Sequence, residues 1–263
     1  MKKSSKLKIL ALSIGLVSAI PAQAYTITGP FPINPSGNPA GQEGYSVTLG
    51  AADIGSSFDL NWFLAAGSVG DAGGTPTPGD FSAEATFTLN AFDTTSNFLN
   101  FDVSITNTTL ASAGFDNAGI TSLGFGADPT ATGASLLTNG TYFDGITPTG
   151  ANSPAFDINT CIWSANNCSG GAQGDLLAIG DTDSFIFQLL FSDLSGGSVT
   201  LDTFGLKTQT SVGSFELAGL PTNPDDPNNP DDPNPVPEPA SLMLLGVGLL
   251  GFFGASRRKA KAV

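Results

Sequence analysis

Residues 81–91, FSAEATFTLNA, and residues 99–105, LNFDVSI, decide the fold class. In the first segment Phe81, Ala83, Ala85, Phe87, Leu89 and Ala91 alternate with Ser82, Glu84, Thr86, Thr88 and Asn90. In the second, Leu99, Phe101, Val103 and Ile105 alternate with Asn100, Asp102 and Ser104. Successive side chains of a strand point to opposite faces, so each segment has one dry and one wet face. Asp93 to Asn97 is a short polar turn between them, and the pair predicts an antiparallel hairpin.

Working outward, further strands are expected at Tyr45–Leu49, Ser57–Leu64, Ile120–Phe125, Thr141–Ile146, Ser184–Phe191, Val199–Leu206 and Ser214–Leu217. Residues 185–191 are apolar on both faces apart from Gln188, which predicts a central strand covered on each side. Thr26 to Gln42 is rich in Gly, Pro, Asn and Ser and reads as an extended lead-in. Glycine-rich turns separate the strands, and no long amphipathic helix interrupts them. The pattern predicts an all-β chain: a single β-sandwich or jelly-roll-like domain over residues 45–220, after a lead-in over 25–44.

The chain opens with Lys2, Lys3, Lys6 and Lys8, then an apolar run over 9–20, then Ala22-Gln23-Ala24. Charged start, short apolar run and small-x-small site are the three parts of a secretory signal peptide over residues 1–24, with Tyr25 as the mature N-terminus. Sec export and signal peptidase follow as partners. Between Tyr25 and the basic tail, one lysine, Lys207, stands against twenty-three acids, which leaves this span at −22. Such a surface repels nucleic acid and phosphate and stays soluble.

Cys161 and Cys168 lie seven apart in a chain bound for an oxidising compartment, so a local disulfide is expected. The sequence has no histidine, which removes every Ser-His, Cys-His and His-metal mechanism. With a single lysine there is no cationic clamp for anionic substrates. The expectation is therefore no enzyme, no catalytic residue and no resident cofactor. Asp175, Asp181 and Asp183 are the carboxylates that calcium would use on loops of this kind. Asp181 and Asp183 are also the nearest approach to the paired carboxylates of a glycoside hydrolase. Trp62, Trp163 and Tyr142 are candidates for a sugar-binding platform, with Trp163 inside the cysteine loop first among them. Glycosylation sequons stand at Asn107, Asn139 and Asn167.

Residues 221–235 form a spacer in which Asn-Pro-Asp-Asp-Pro-Asn occurs twice, at 223–228 and 229–234. Proline and mutual repulsion of the aspartates should keep it extended. Beyond it come Pro237-Glu238-Pro239-Ala240-Ser241, an apolar stretch over 240–255 and a basic stop over 257–261 that includes Arg257 and Arg258. Sixteen residues make a helix of about 24 Å, short for a single transmembrane span of about 30 Å. Four glycines in the stretch leave it slim enough for close approach by another membrane protein.

This order of motif, helix and basic stop, over residues 236–261, resembles the PEP-CTERM sorting signal of Gram-negative bacteria. The resemblance implies recognition by exosortase, a membrane transpeptidase-like enzyme of strains that make exopolysaccharide. It further implies transient membrane anchorage through the C-terminal helix, then transfer to the cell surface or extracellular matrix. The body is similar in texture to β-rich ectodomains of that family, as in "AGITSLGFGAD" and "DSFIFQLLFSD", and the cysteine pair leaves a cistern-type subgroup open. The implied role is structural or adhesive in an exopolysaccharide or biofilm matrix. The alternative is a secreted carbohydrate-binding module or glycoside-active enzyme.

Overall fold

The computed structural model describes residues 25–33, 42–70, 74–148, 156, 158–164, 167–168 and 175–222. They form an all-β body of two antiparallel sheets. The first sheet takes β1 (Thr26–Pro32), β2 (Glu43–Gly50), β12 (Ser198–Thr210), β6 (Ala118–Asp128), β9 (Thr160–Trp163) and β8 (Gly145–Thr147) in that order. Two further strands, β10 (Leu177–Ala178) and β13 (Gly213–Ala218), pair with β6 and β12. In the second sheet the order is β14 (Leu220–Thr222), β3 (Ser57–Leu64), β4 (Phe81–Asp93), β5 (Phe98–Thr106), β11 (Thr182–Leu190) and β7 (Gly133–Thr138).

The expected hairpin is β4–β5, and its alternation decides what lies inside. Phe87 of β4 meets Phe125 of β6 and Phe204 of β12 across the sandwich, each at 6.4 Å between ring centres. Phe58 reaches Phe204 at 5.8 Å, and Phe187 reaches Phe125 at the same distance. Trp62 is buried, and its indole Nε1 donates to the Phe204 carbonyl at 3.2 Å. Phenylalanine from both sheets thus fills one shared core, and tilted and edge-on rings add to the area they bury.

Bulges decide which residues belong to that core. The dry face of β4 ends at Leu89, because the pairing with β5 shifts between Leu89 and Ala91. One extra residue turns the chain over, so Phe92 is buried where Ala91 was expected. In β6 the register slips at Thr121, and the inward set passes from Ala118 and Ile120 to Leu123, Phe125 and Ala127. In β12 a slip at Thr203, with φ of 50°, hands the inner face from Leu201 to Phe204.

Four expectations are corrected. The lead-in over 25–44 contains a strand, since Thr26 to Thr28 pair with Thr48 to Ser46 and β2 begins at Glu43. The spacer was placed from Pro221, but Pro221 and Thr222 close β14 against β3; an edge strand tolerates the missing N–H. Thr141–Ile146 is not one strand: Thr141 to Asp144 form a turn, and the pairing falls to β7 before it and the short β8 after it. Finally, β11 is not covered on both sides. It buries Asp183, Phe185, Phe187 and Leu189 while Leu190 is exposed, and it lies next to the edge strand β7. The strand buried on both faces is β6, all of it but Asp128.

Candidate functional site

The aspartates singled out in the sequence fall in two environments. Asp183, on β11, is buried, and its carboxylate accepts three backbone N–H groups of one turn: Thr141 at 2.7 Å, Tyr142 at 2.9 Å and Phe143 at 2.8 Å. Gly140 approaches so closely that a Cβ there would lie 2.2 Å from Asp183 Oδ2. Asp181, just before the strand, accepts from the Tyr142 hydroxyl at 2.6 Å. That bond, with the carboxylate charge beside it, raises the Tyr142 phenol above its ordinary value. The two acids therefore converge on one turn and hold it. Asp175 is exposed, just ahead of β10. Among the described residues no group of three or more His, Cys, Asp or Glu is gathered as a metal cluster.

The cysteine loop does a second job. Cys161 and Cys168 form the expected disulfide. Cys161 stands opposite Gly124 on β6, so the bridge lies on the outer face of the first sheet. With Phe156 and Ile158 the two cysteines form a small apolar cluster, separate from the main core, against which Ile33, Trp163 and Ala218 pack. Glycines on that face make room for it. A Cβ on Gly124 would come within 2.3 Å of Ile158, and one on Gly205 within 2.8 Å of Phe156. Trp163 is half-buried, and its indole covers Gly145. Trp62 lies in the core and the Tyr142 hydroxyl is engaged by Asp181, so the three aromatics do not share a platform.

Lys207 also belongs to this face. It stands opposite Glu216, with its Nζ 3.5 Å from Oε1, and Glu216 is 1% exposed. The body's one lysine thus compensates a buried carboxylate, whose desolvation would otherwise be costly. Of the sequons, Asn107 is fully buried and donates to the carbonyls of Ala118 and Leu177, which fixes it as a structural amide. Asn139 is exposed.

The outer face of the second sheet is arranged differently. A groove of about 590 Å³ runs across β14, β3, β4 and β5, floored by Asp59, Asn61, Glu84, Thr86, Ser104 and Thr106. The sequence marks Glu84, Thr86 and Ser104 only as the wet side of the hairpin, and Asp59 and Asn61 only as part of the expected strand Ser57–Leu64. A signal that could have found them is the pair of mid-strand acids Asp59 and Glu84, poorly suited to a strand and with no turn role to explain them, although Asp102 carries the same signal outside the groove.

Residues 235–259 match the family model of the PEP-CTERM protein-sorting motif. The match covers Pro237, Glu238, Pro239, Ala240, Ser241, Arg257 and Arg258, the residues on which the resemblance rested. No curated protein matches the chain. The sorting motif, the apolar stretch over 240–255, the rest of the spacer and the signal peptide with Ala22 and Ala24 lie outside the described residues. Among the described residues, no helix is long and apolar enough to cross a membrane.

Proposed function

We propose that this chain, which carries a PEP-CTERM sorting motif at residues 235–259, is a non-enzymatic structural or adhesive component of an extracellular polysaccharide matrix. The motif implies export, exosortase processing and a surface or extracellular destination. The single observation that carries the reading is this match, with motif, apolar stretch and arginines in the expected order. In the proposed route signal peptidase cuts after Ala24, the C-terminal helix tethers the protein briefly, and exosortase then releases the body. Tyr25 packs into the body, with its ring beside Phe58 and its hydroxyl donating to the Ser57 carbonyl at 2.9 Å, which supports counting it with the mature domain.

The −22 balance supports a soluble, spaced body that does not adhere to anionic lipid after release. The Cys161–Cys168 disulfide suits an oxidising compartment outside the cytoplasm. The test is the intact mass of the surface form. The expected mature protein begins at Tyr25 and lacks the residues from Leu242 to Val263. A surface form that retains them overturns the sorting reading.

A further inference from the structure

We infer that the groove on the outer face of the second sheet binds polysaccharide, and that it selects chains bearing free amino groups; this rests on the matrix role proposed above. Two rows of side chains cross the sheet there. Leu220, Asn61, Glu84 and Thr106 stand directly opposite one another, and so do Thr222, Asp59, Thr86 and Ser104. Directly opposed residues of antiparallel strands share a face, so hydroxyls, an amide and two carboxylates are presented as a regular array.

Several of these groups have no structural duty, and they stand together on one groove. Some acids elsewhere are tied to the backbone: Asp53 accepts from Gly50 N, Asp80 from Ala66 N, and Asp183 from its turn. In the groove only Asp59 is engaged, by the Thr86 hydroxyl at 2.6 Å, and Thr106 is tied to Thr182. The side chains of Asn61, Glu84, Ser104 and Thr222 make no hydrogen bond among the described residues. They are donors and acceptors of the kind that hold sugar hydroxyls.

The same face also offers apolar surface to sugar C–H groups. Phe63, two residues beyond Asn61 along β3 and on the same face, is 61% exposed, and Leu220 at the groove's edge is 45% exposed. An exposed aromatic beside a polar groove is the usual pairing for a pyranose ring, one side apolar and the rim polar.

Charge chooses among glycans. Asp59 and Glu84 are diagonal neighbours across β3 and β4, roughly 7–8 Å apart at Cα. No lysine or arginine lines the groove, and the one lysine of the body is committed to Glu216 on the other sheet. Polyuronates and sulfated polymers are repelled, whereas ammonium groups along a chain are drawn to the two carboxylates. Each exposed ion pair is weak, so affinity should come from polymer repeats and from many copies in one matrix.

The test is binding by the full chain, purified in detergent, to glucosamine oligosaccharides and to N-acetylglucosamine oligosaccharides of matched length, with polyuronate as the anionic arm. Free-amine oligomers should bind about tenfold more tightly than the acetylated ones, with the preference fading as salt rises. Glu84→Gln, isosteric and outward-facing, should cost about tenfold on the free-amine oligomers only. Phe63→Ser should weaken both families. Asp144→Asn, outside the groove, should change neither, and unchanged melting temperatures certify the fold of each variant. Equal binding of both families, or equal losses in the Glu84 and Asp144 variants, overturns the proposal. So does polyuronate binding as tightly as the free-amine oligomers, or release of reducing ends, which would make the groove an active site. Absence of glycan binding overturns the groove while the surface-form mass still decides the sorting reading.

Discussion

Glu84 and Gly124 both point away from the shared phenylalanine core, one on each sheet. Glu84 looks onto an open groove, whereas the space beside Gly124 is filled by Ile158 from the cysteine loop. The second sheet keeps one wet face across β3, β5 and β4 as far as its bulge after Leu89, and those strands alternate accordingly. Covering the first sheet on both sides leaves β6 buried on both faces, with serine and glycine where a wet face would carry larger polar residues. A covered sheet face thus needs small residues and a bridge to hold its cover, and an open one is free to carry chemistry.

The harshest way to break this contrast is to remove what the two sheets share. Phe87 touches Phe58 and Phe101 in its own sheet and Phe125 and Phe204 in the other. Phe87→Ala should cost about 3–5 kcal/mol. Trp62 reports on the core and Trp163 on the cover, so denaturation of the Trp62→Phe and Trp163→Phe backgrounds followed by fluorescence separates them. One coincident, weakened transition is expected; a Trp163 transition that survives unshifted would make the cover an independent unit.

Next in size is the bridge itself. Cys161→Ser with Cys168→Ser opens a short loop and should cost about 2 kcal/mol on the chain-entropy model. The effect should be local. Amide exchange should accelerate in β8 and β9, which stand at the margin of the first sheet, while β3 to β5 keep their protection. Acceleration throughout both sheets would mean that the cover supports the sandwich as a whole.

How much of this was legible follows the same divide. On the second sheet the alternation of β3, β4 and β5 is written in the residues, and Ser57–Leu64 appears with the bounds expected. On the first sheet it is broken by bulges at Thr121 and Thr203, which exchange faces in mid-strand, so only fragments of β6 and β12 could be read. Short strands such as β10 and β14 carry too few residues to show a period, and β7, GASLLT, has no alternation to read. The disulfide was legible from compartment and spacing, its packing over Gly124 was not. Likewise Asp181 and Asp183 were visible as a pair, but their partner turn at Thr141–Phe143 lies some forty residues away and was read as a strand.

A milder comparison uses one substitution on each outer face. Gly124→Val adds bulk where the Ile158 side chain and the Thr160 carbonyl already sit and should cost about 1–2 kcal/mol. Ser104→Val places the same side chain on the open face and should stay within about 0.5 kcal/mol of the parent. Thermal melts of the two variants settle it. Equal losses would mean that the groove face is also packed, and the distinction between the two sheets would fail.

The smallest effect concerns the turns that close the open sheet and lead from it to the covered one. Asp93, in the β4–β5 turn, accepts from the backbone N–H of Thr95 and Ser96, and Asp193, between β11 and β12, accepts from Ser195. These bonds hold both carboxyls below the ordinary carboxylate range. A depressed folded value means that the contribution is present above the unfolded value of about 4 and is lost as pH falls through the lower folded one. Carboxyl titration by NMR should place both midpoints below that of aspartate in an unstructured model peptide. Because both groups are exposed, and because an amide oxygen still accepts the N–H, Asp93→Asn and Asp193→Asn should melt almost as the parent does at neutral pH. They should differ mainly by losing part of the acid-side decline. The two turns are joined through Asn97, which accepts from Phe191 N on its carbonyl and from Leu194 N on its side chain, both at 2.9 Å. A shift of the Asp193 midpoint in the Asp93 variant would therefore show that the hairpin and the crossover to the covered sheet titrate as one unit, whereas independent midpoints would leave each turn to its own local bonds.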